Sequence, residues 1–88
     1  MARPVFRFRS FSTLKSINEY ATLSLKIILD EHSVVLLTDE SFQVDGKVLV
    51  EFTRKSSEEC EYVVSFNSED SDLGINVCSV MAQHFDIY

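Results

Sequence analysis

From Pro4 to Phe11 apolar and polar residues alternate, with Phe6 and Phe8 on one side of an extended chain and Arg7 and Arg9 on the other. A period of two with aromatics predicts a half-buried strand whose arginines lie on its wet face. Ser10 to Thr13 then supply short hydroxyl side chains suited to capping a helix. From Leu14 the period lengthens. Leu14, Ile17, Ala21, Leu25 and Ile28 recur at spacings of three and four, with Lys15, Asn18, Glu19 and Thr22 between them. Ser16 and Glu19 also have capping-box spacing, so the first turn starts at either Ser12 or Ser16. The pattern predicts a helix over about 12–25, which either stops before Ile27 or runs through Leu29.

The run Ser33 to Thr38 is dense in Val and Leu, and Asp39, Glu40 and Ser41 read as a turn. Phe42 and Val44 alternate with Gln43 and Asp45, and Asp45-Gly46 is a strong turn pair. Val48 to Thr53 carries Val48, Val50 and Phe52 on one face; its propensity is that of a strand, and an amphipathic helical turn is the alternative. Lys55 to Glu59 is a polar loop, after which Cys60, Tyr62, Val64 and Phe66 alternate with Glu61, Val63, Ser65 and Asn67 as in a strand. Ser68 to Ser71 place a cap and negative charge at a second helix, where Leu73, Val77, Val80, Met81 and His84 share a face. Gly74 weakens its first turn by about 1 kcal/mol relative to Ala. No repeat, linker or low-complexity stretch interrupts the chain, so residues 1–88 are expected to form a single domain. Two helices cannot shield both faces of so small a sheet. The expected fold is therefore α+β: an open-faced sandwich with an antiparallel sheet of about four strands and two to three helices on one face.

Composition narrows the functional classes. At 45% hydrophobic and 25% charged residues the chain is close to the globular average. No apolar run approaches the roughly 18 residues of a membrane span, and the N-terminal stretch lacks the apolar core of a secretion signal. Cys60 and Cys78 are too few for a disulfide scaffold, so a cytoplasmic protein with reduced thiols is expected. Charge is unevenly spread: residues 1–26 set five cations against Glu19, a net of +4, while residues 56–88 hold seven carboxylates and no Lys or Arg. An acidic chain gains little from phosphate contacts, so a protein partner is expected and nucleic acid is not.

Candidate chemistry is sparse. His32 follows Asp30 and Glu31 in a polar turn, where neighbouring side chains rarely converge on one proton, and a solvated turn accounts for it. His84 lies on the apolar stripe of the last helix and reads as a core-edge histidine. Cys60, Cys78, His32 and His84 lack the paired spacing of a zinc site, and Gly46 and Gly74 lie too far apart for a phosphate loop. Cys78 has no cationic neighbour to activate it. No enzyme activity, metal or cofactor is expected. The pleat sends Phe6 and Phe8 away from Arg7 and Arg9, which argues against a stacking platform for single strands. The side chains offered to a partner are Arg7 and Arg9 on the first strand, and Glu58, Glu59 and Glu61 around the start of the last.

Two stretches carry a family likeness. Phe42-Gln43-Val44-Asp45-Gly46-Lys47, and the run from Glu58 through Asp70 into the helix from Leu73, resemble the HPr family, the small phosphocarrier of the sugar phosphotransferase system. The resemblance covers nearly the whole chain. It implies the family's antiparallel sandwich and a short second helix after the Asp45-Gly46 turn. The departures are severe, however. The family's active histidine stands in a Gly-x-His-Ala-Arg-Pro context at the start of the first helix, where this chain has Ser10-Phe11-Ser12-Thr13. Ala2-Arg3-Pro4 copies part of that motif before the first strand, with Met1 in the histidine's place. The regulatory serine is also missing, since Val48 follows Lys47. Phosphoryl transfer needs a nucleophilic nitrogen whose phosphate is held by helix N–H groups, so no phosphorelay is implied.

Two functions remain. One is an HPr-like regulatory domain that docks through the first helix and Val48–Phe52. The other is a small acidic inhibitor or antagonist, of immunity or phage type, that presents residues 56–88 to a basic site. A helical Val48–Phe52 segment favours the first and an extended one the second.

Overall fold

Residues 2–85 are described by a computed structural model of the chain. The elements run β1 (Val5–Arg9), α1 (Leu14–Ile28), β2 (Val34–Thr38), β3 (Ser41–Val44), β4 (Val48–Arg54), β5 (Glu59–Ser65), a short 3-10 turn (Ser68–Asp70) and α2 (Ser71–His84). The strands form one antiparallel sheet in the order β1-β5-β4-β3-β2. Alternate residues of the inner strands, among them Phe42, Val50, Phe52, Tyr62 and Val64, are buried beneath the two helices, and the other face is open. The fold is thus the α+β open-faced sandwich that the patterning predicts.

The strand count corrects that expectation, because the sheet has five strands rather than about four. Val48 to Arg54 is a strand between β3 and β5, not a helix. Val48, Val50 and Phe52 all face the core, which a pleat achieves with a period of two and a helical turn does not. This layout lacks the four-strand arrangement of an HPr-like sandwich. The helices number two, with the 3-10 turn leading into α2.

The helix α1 holds the largest local correction. Thr13, neither Ser12 nor Ser16, is its N-cap: the Thr13 hydroxyl accepts from the Ser16 N–H at 3.2 Å. The helix continues to Ile28, past residue 25 and within the range of ends that the pattern left open. Asn18 and Thr22, expected on its wet face, are buried instead. Asn18 is 1% exposed and its amide donates to the Thr38 and Ser41 carbonyls at 3.0 and 3.1 Å, holding the β2–β3 turn against the helix. The Thr22 hydroxyl donates to the Asn18 carbonyl at 2.8 Å. The donors of both side chains therefore have acceptors, which offsets the cost of burying them, while Asn18 Oδ1 is buried without a partner among the described residues.

At the Asp45-Gly46 turn both residues take left-handed φ values, 54° and 66°, and the Lys47 N–H donates to the Val44 carbonyl at 2.9 Å. Two consecutive positive φ angles match the right-handed twist of the flanking strands. Gly74 also differs from expectation. A Cβ there would lie 2.4 Å from the Phe66 ring, so the glycine lets α2 settle onto the end of the sheet.

Candidate functional site

Three kinds of side chain stand out from this scaffold: the histidines and cysteines, the charged groups expected to meet a partner, and the apolar groups the core leaves uncovered.

His32 is not simply solvated. Its Nδ1 donates to Asp45 Oδ2 at 2.5 Å, while Asp45 Oδ1 accepts the Ser33 N–H at 2.7 Å. The carboxylate that engages it comes from the β3–β4 turn, not from the adjacent Asp30 or Glu31. The His32 hydrogen bond, and then the Ser33 N–H, hold the Asp45 carboxyl below its ordinary range. The arrangement ties two loops together.

His84 lies beside Tyr20, with Tyr20 Oη and His84 Nδ1 3.3 Å apart. Both border a cleft of about 500 Å³ with Arg9, Ser12, Ser16 and Phe85. Among the described residues His84 bonds to no serine of the cleft: the Ser16 hydroxyl engages Thr13, and His84 Nε2 is buried without a partner. Burial pushes the Cys60 and Cys78 thiols up, away from the reactive thiolate. Among the described residues, no three His, Cys, Asp or Glu side chains come together to hold a metal ion.

The five residues expected to contact a partner fall at one end of the β1–β5 ladder. Arg7 pairs in register with Glu61, and Arg9 with Glu59. Arg7 Nε lies 3.9 Å from Glu61 Oε2, and Lys55 Nζ lies 3.2 Å from Glu61 Oε1. Glu61 is therefore occupied by two cations and only 16% of its side chain is exposed. Glu58 is half-buried and its carbonyl accepts the Ser10 N–H at 2.8 Å. Arg7, Lys55, Glu59, Cys60 and Glu61 outline a second cleft of about 470 Å³. Among the described residues the carboxylates after residue 55 fall into two groups, because Glu58, Glu59 and Glu61 precede or begin β5 while Glu69, Asp70 and Asp72 follow it. A seven-residue strand separates the groups by about 20 Å, more than two Debye lengths (about 8 Å each) at physiological salt.

Arg54 is a structural cation that the sequence does not advertise. Its guanidinium donates to the Ser10 and Ser57 carbonyls at 3.0 Å each, and also to the Ser12 carbonyl. It joins the loop after β1 to the β4–β5 hairpin.

Exposed apolar side chains occur singly at Val5, Phe11 and Ile75, along β2 at Val35, Leu36 and Leu37, and as a regular stripe on α1. Its inner stripe of Ile17, Ala21 and Leu25 is buried, yet on the opposite side Leu23 and Ile27 are 61% and 77% exposed, and Tyr20 is half exposed. These three recur at spacings of three and four, so they form a second apolar stripe along one helix. No protein-family model matches the chain, and no curated protein matches it. Among the described residues, no helix is long and apolar enough to cross a membrane.

Proposed function

We infer that this chain is a non-catalytic protein-interaction domain that docks through the outer stripe of α1. The carrying observation is the doubled amphipathicity of that helix. One apolar stripe completes the core, and the other, Tyr20, Leu23 and Ile27, faces outward, with Leu23 and Ile27 largely exposed among the described residues and Tyr20 half covered by His84 and Phe85. A surface helix ordinarily turns polar residues outward, and an apolar stripe there marks a contact with another molecule.

This reading shares with the HPr-like regulatory role the use of the first helix as docking surface. The other half of that surface, Val48–Phe52, lies within an inner strand, and its extended form supports a sandwich unrelated to the phosphocarrier. The acidic-antagonist reading draws less support, since its carboxylates are divided between two ends of the molecule and Glu61 is already paired.

Photo-crosslinking from position 23 or 27 in extracts of the native host tests the inference. A partner crosslinked there, but not from position 58 or 59, is expected. Leu23→Glu with Ile27→Glu should abolish capture while leaving the melting temperature within a few degrees of the parent. Capture that survives this pair, or that falls steeply with salt and with Glu59→Gln, would transfer the function to the acidic end.

A further inference from the structure

The exposed side of α1 repeats as a paired helix does. Ser16, Tyr20, Leu23 and Ile27 are all exposed and stand four, three and four residues apart, the alternation of a coiled-coil seam. At about 100° per residue, Leu23 points away from the buried stripe of Asn18, Ala21 and Leu25. Tyr20 and Ile27 lie on one flank of Leu23, and Glu19 and Lys26 lie on the other. Glu19 and Lys26 are exposed, and neither has an ion-pair partner among the described residues. They cannot pair with each other, because seven residues of helix hold them about 10 Å apart.

We propose that the occupant of this seam is a second copy of the chain, with the two α1 helices packed antiparallel about a two-fold axis at Leu23. The inference rests on the docking role given to the outer stripe of α1 and names what covers it. A two-fold perpendicular to both helices carries a residue at one height before Leu23 to the same height after it, on the same flank. Leu23 therefore packs on Leu23. Tyr20, about 4.5 Å before it, meets Ile27 of the other copy, about 6 Å after it. Tyr20 has half its surface free for this beside His84 and Phe85.

Charge selects both the occupant and its direction. On the opposite flank Glu19, about 6 Å before Leu23, comes level with Lys26 of the other copy, about 4.5 Å after it, and the symmetry repeats the pair. Further out, Lys15 comes level with Asp30 and Glu31, which follow the end of the other helix. The first turn of α1 has no acidic residue of its own, so those carboxylates also meet its positive end. Each level of this flank thus sets a cation against a carboxylate. In a parallel pair the two copies' Glu19 and Lys26 fall on opposite flanks and meet no opposite charge. A foreign helix has to carry this alternation in reverse, whereas a second copy supplies it by symmetry. The net charge of −6 does not oppose contact here, since Leu14–Ile28 hold Lys15 and Lys26 against Glu19 alone.

Sedimentation equilibrium from about 10 μM to about 1 mM tests the pairing; the contact is smaller than the roughly 1,200 Å² of stable interfaces, so a weak, reversible dimer is expected. Leu23→Glu places two carboxylates on the axis and should abolish it. Glu19→Lys and Lys26→Glu each turn both ion pairs into like-charge pairs and should raise the dissociation constant roughly tenfold. Mixed in equal amounts, those two variants should pair with each other about as tightly as the parent does with itself, because each supplies the charge the other lacks. A dimer indifferent to Leu23→Glu, or charge variants that mixing does not rescue, overturns the antiparallel pairing. A chain still monomeric at the highest concentration overturns the inference as well. The docking role of the stripe then stands if positions 23 and 27 crosslink a different protein, and falls if they crosslink nothing.

Discussion

The two outer strands of the sheet have the same length and opposite characters. β1 carries Arg7 and Arg9 on its wet side, follows Pro4, and extends its ladder through an Ala2–Phe66 bridge. β2 has five uncharged residues, three of them large apolar side chains about half exposed. Yet both are anchored in the same way, by an amide or guanidinium from an inward element that donates to main-chain carbonyls. Asn18 serves the end of β2, and Arg54 serves the loop that leaves β1. The position of an edge and its exposure are thus set separately: interior donors fix where the strand lies, and its own side chains decide what it shows.

Removing these anchors breaks the comparison from either side. Asn18→Ala should have the largest effect, about 3 kcal/mol in denaturant unfolding, since it strands two carbonyls and leaves a void beneath α1. Amide exchange should then quicken in β2 and β3 before β1. Arg54→Ala should cost about 2 kcal/mol, because its charge-assisted bonds are half-exposed, and should loosen the β1 loop while β2 stays protected.

Asp45→Asn acts at the start of β2 and should cost about 1 kcal/mol near neutral pH, with the turn kept because Asn also accepts a left-handed φ. Its signature is the pH dependence. The folded carboxyl titrates below its ordinary value of 3.8, so its stabilisation is complete above that value and fades as pH falls through the lower folded one. A plot of stability against pH should therefore decline less steeply below about 4 in Asp45→Asn than in the parent. Arg7→Ala removes an exposed contact at 3.9 Å and should change stability by less than about 0.5 kcal/mol. A shift in melting temperature beyond a few degrees in Arg7→Ala would show that β1 depends on its surface charges after all.

The strands were legible because alternation of Phe6 with Arg7, or Tyr62 with Glu61, reports directly which side of a pleat is buried. Val48 to Arg54 could be placed by β-branched propensity, although the family likeness pointed to a helix there. Asn18 and Thr22 defeated the helical pattern for a physical reason: residue type reports solvation cost, whereas burial depends on whether acceptors wait in the fold. Those acceptors, the Thr38 and Ser41 carbonyls, belong to the backbone and leave no trace in side-chain chemistry. Arg54 was hidden for the same cause. The His32–Asp45 contact was missed because thirteen residues separate its partners and nearer carboxylates compete on paper. The second stripe of α1 was legible and went unread; Tyr20, Leu23 and Ile27 repeat as regularly as the inner stripe, once a helix is allowed more than one apolar side.

The seating of Gly74 on the Phe66 ring has a mechanical consequence. With its first turn wedged against an aromatic plate, α2 has a fulcrum at that end, and its far end is braced by His84 against Tyr20 and by Phe85 among the Phe8, Phe52 and Tyr62 rings. The rod is thus held at both ends, with Gly74 the tighter seat. A bulkier residue at the fulcrum would lever the whole rod outward instead of loosening one turn.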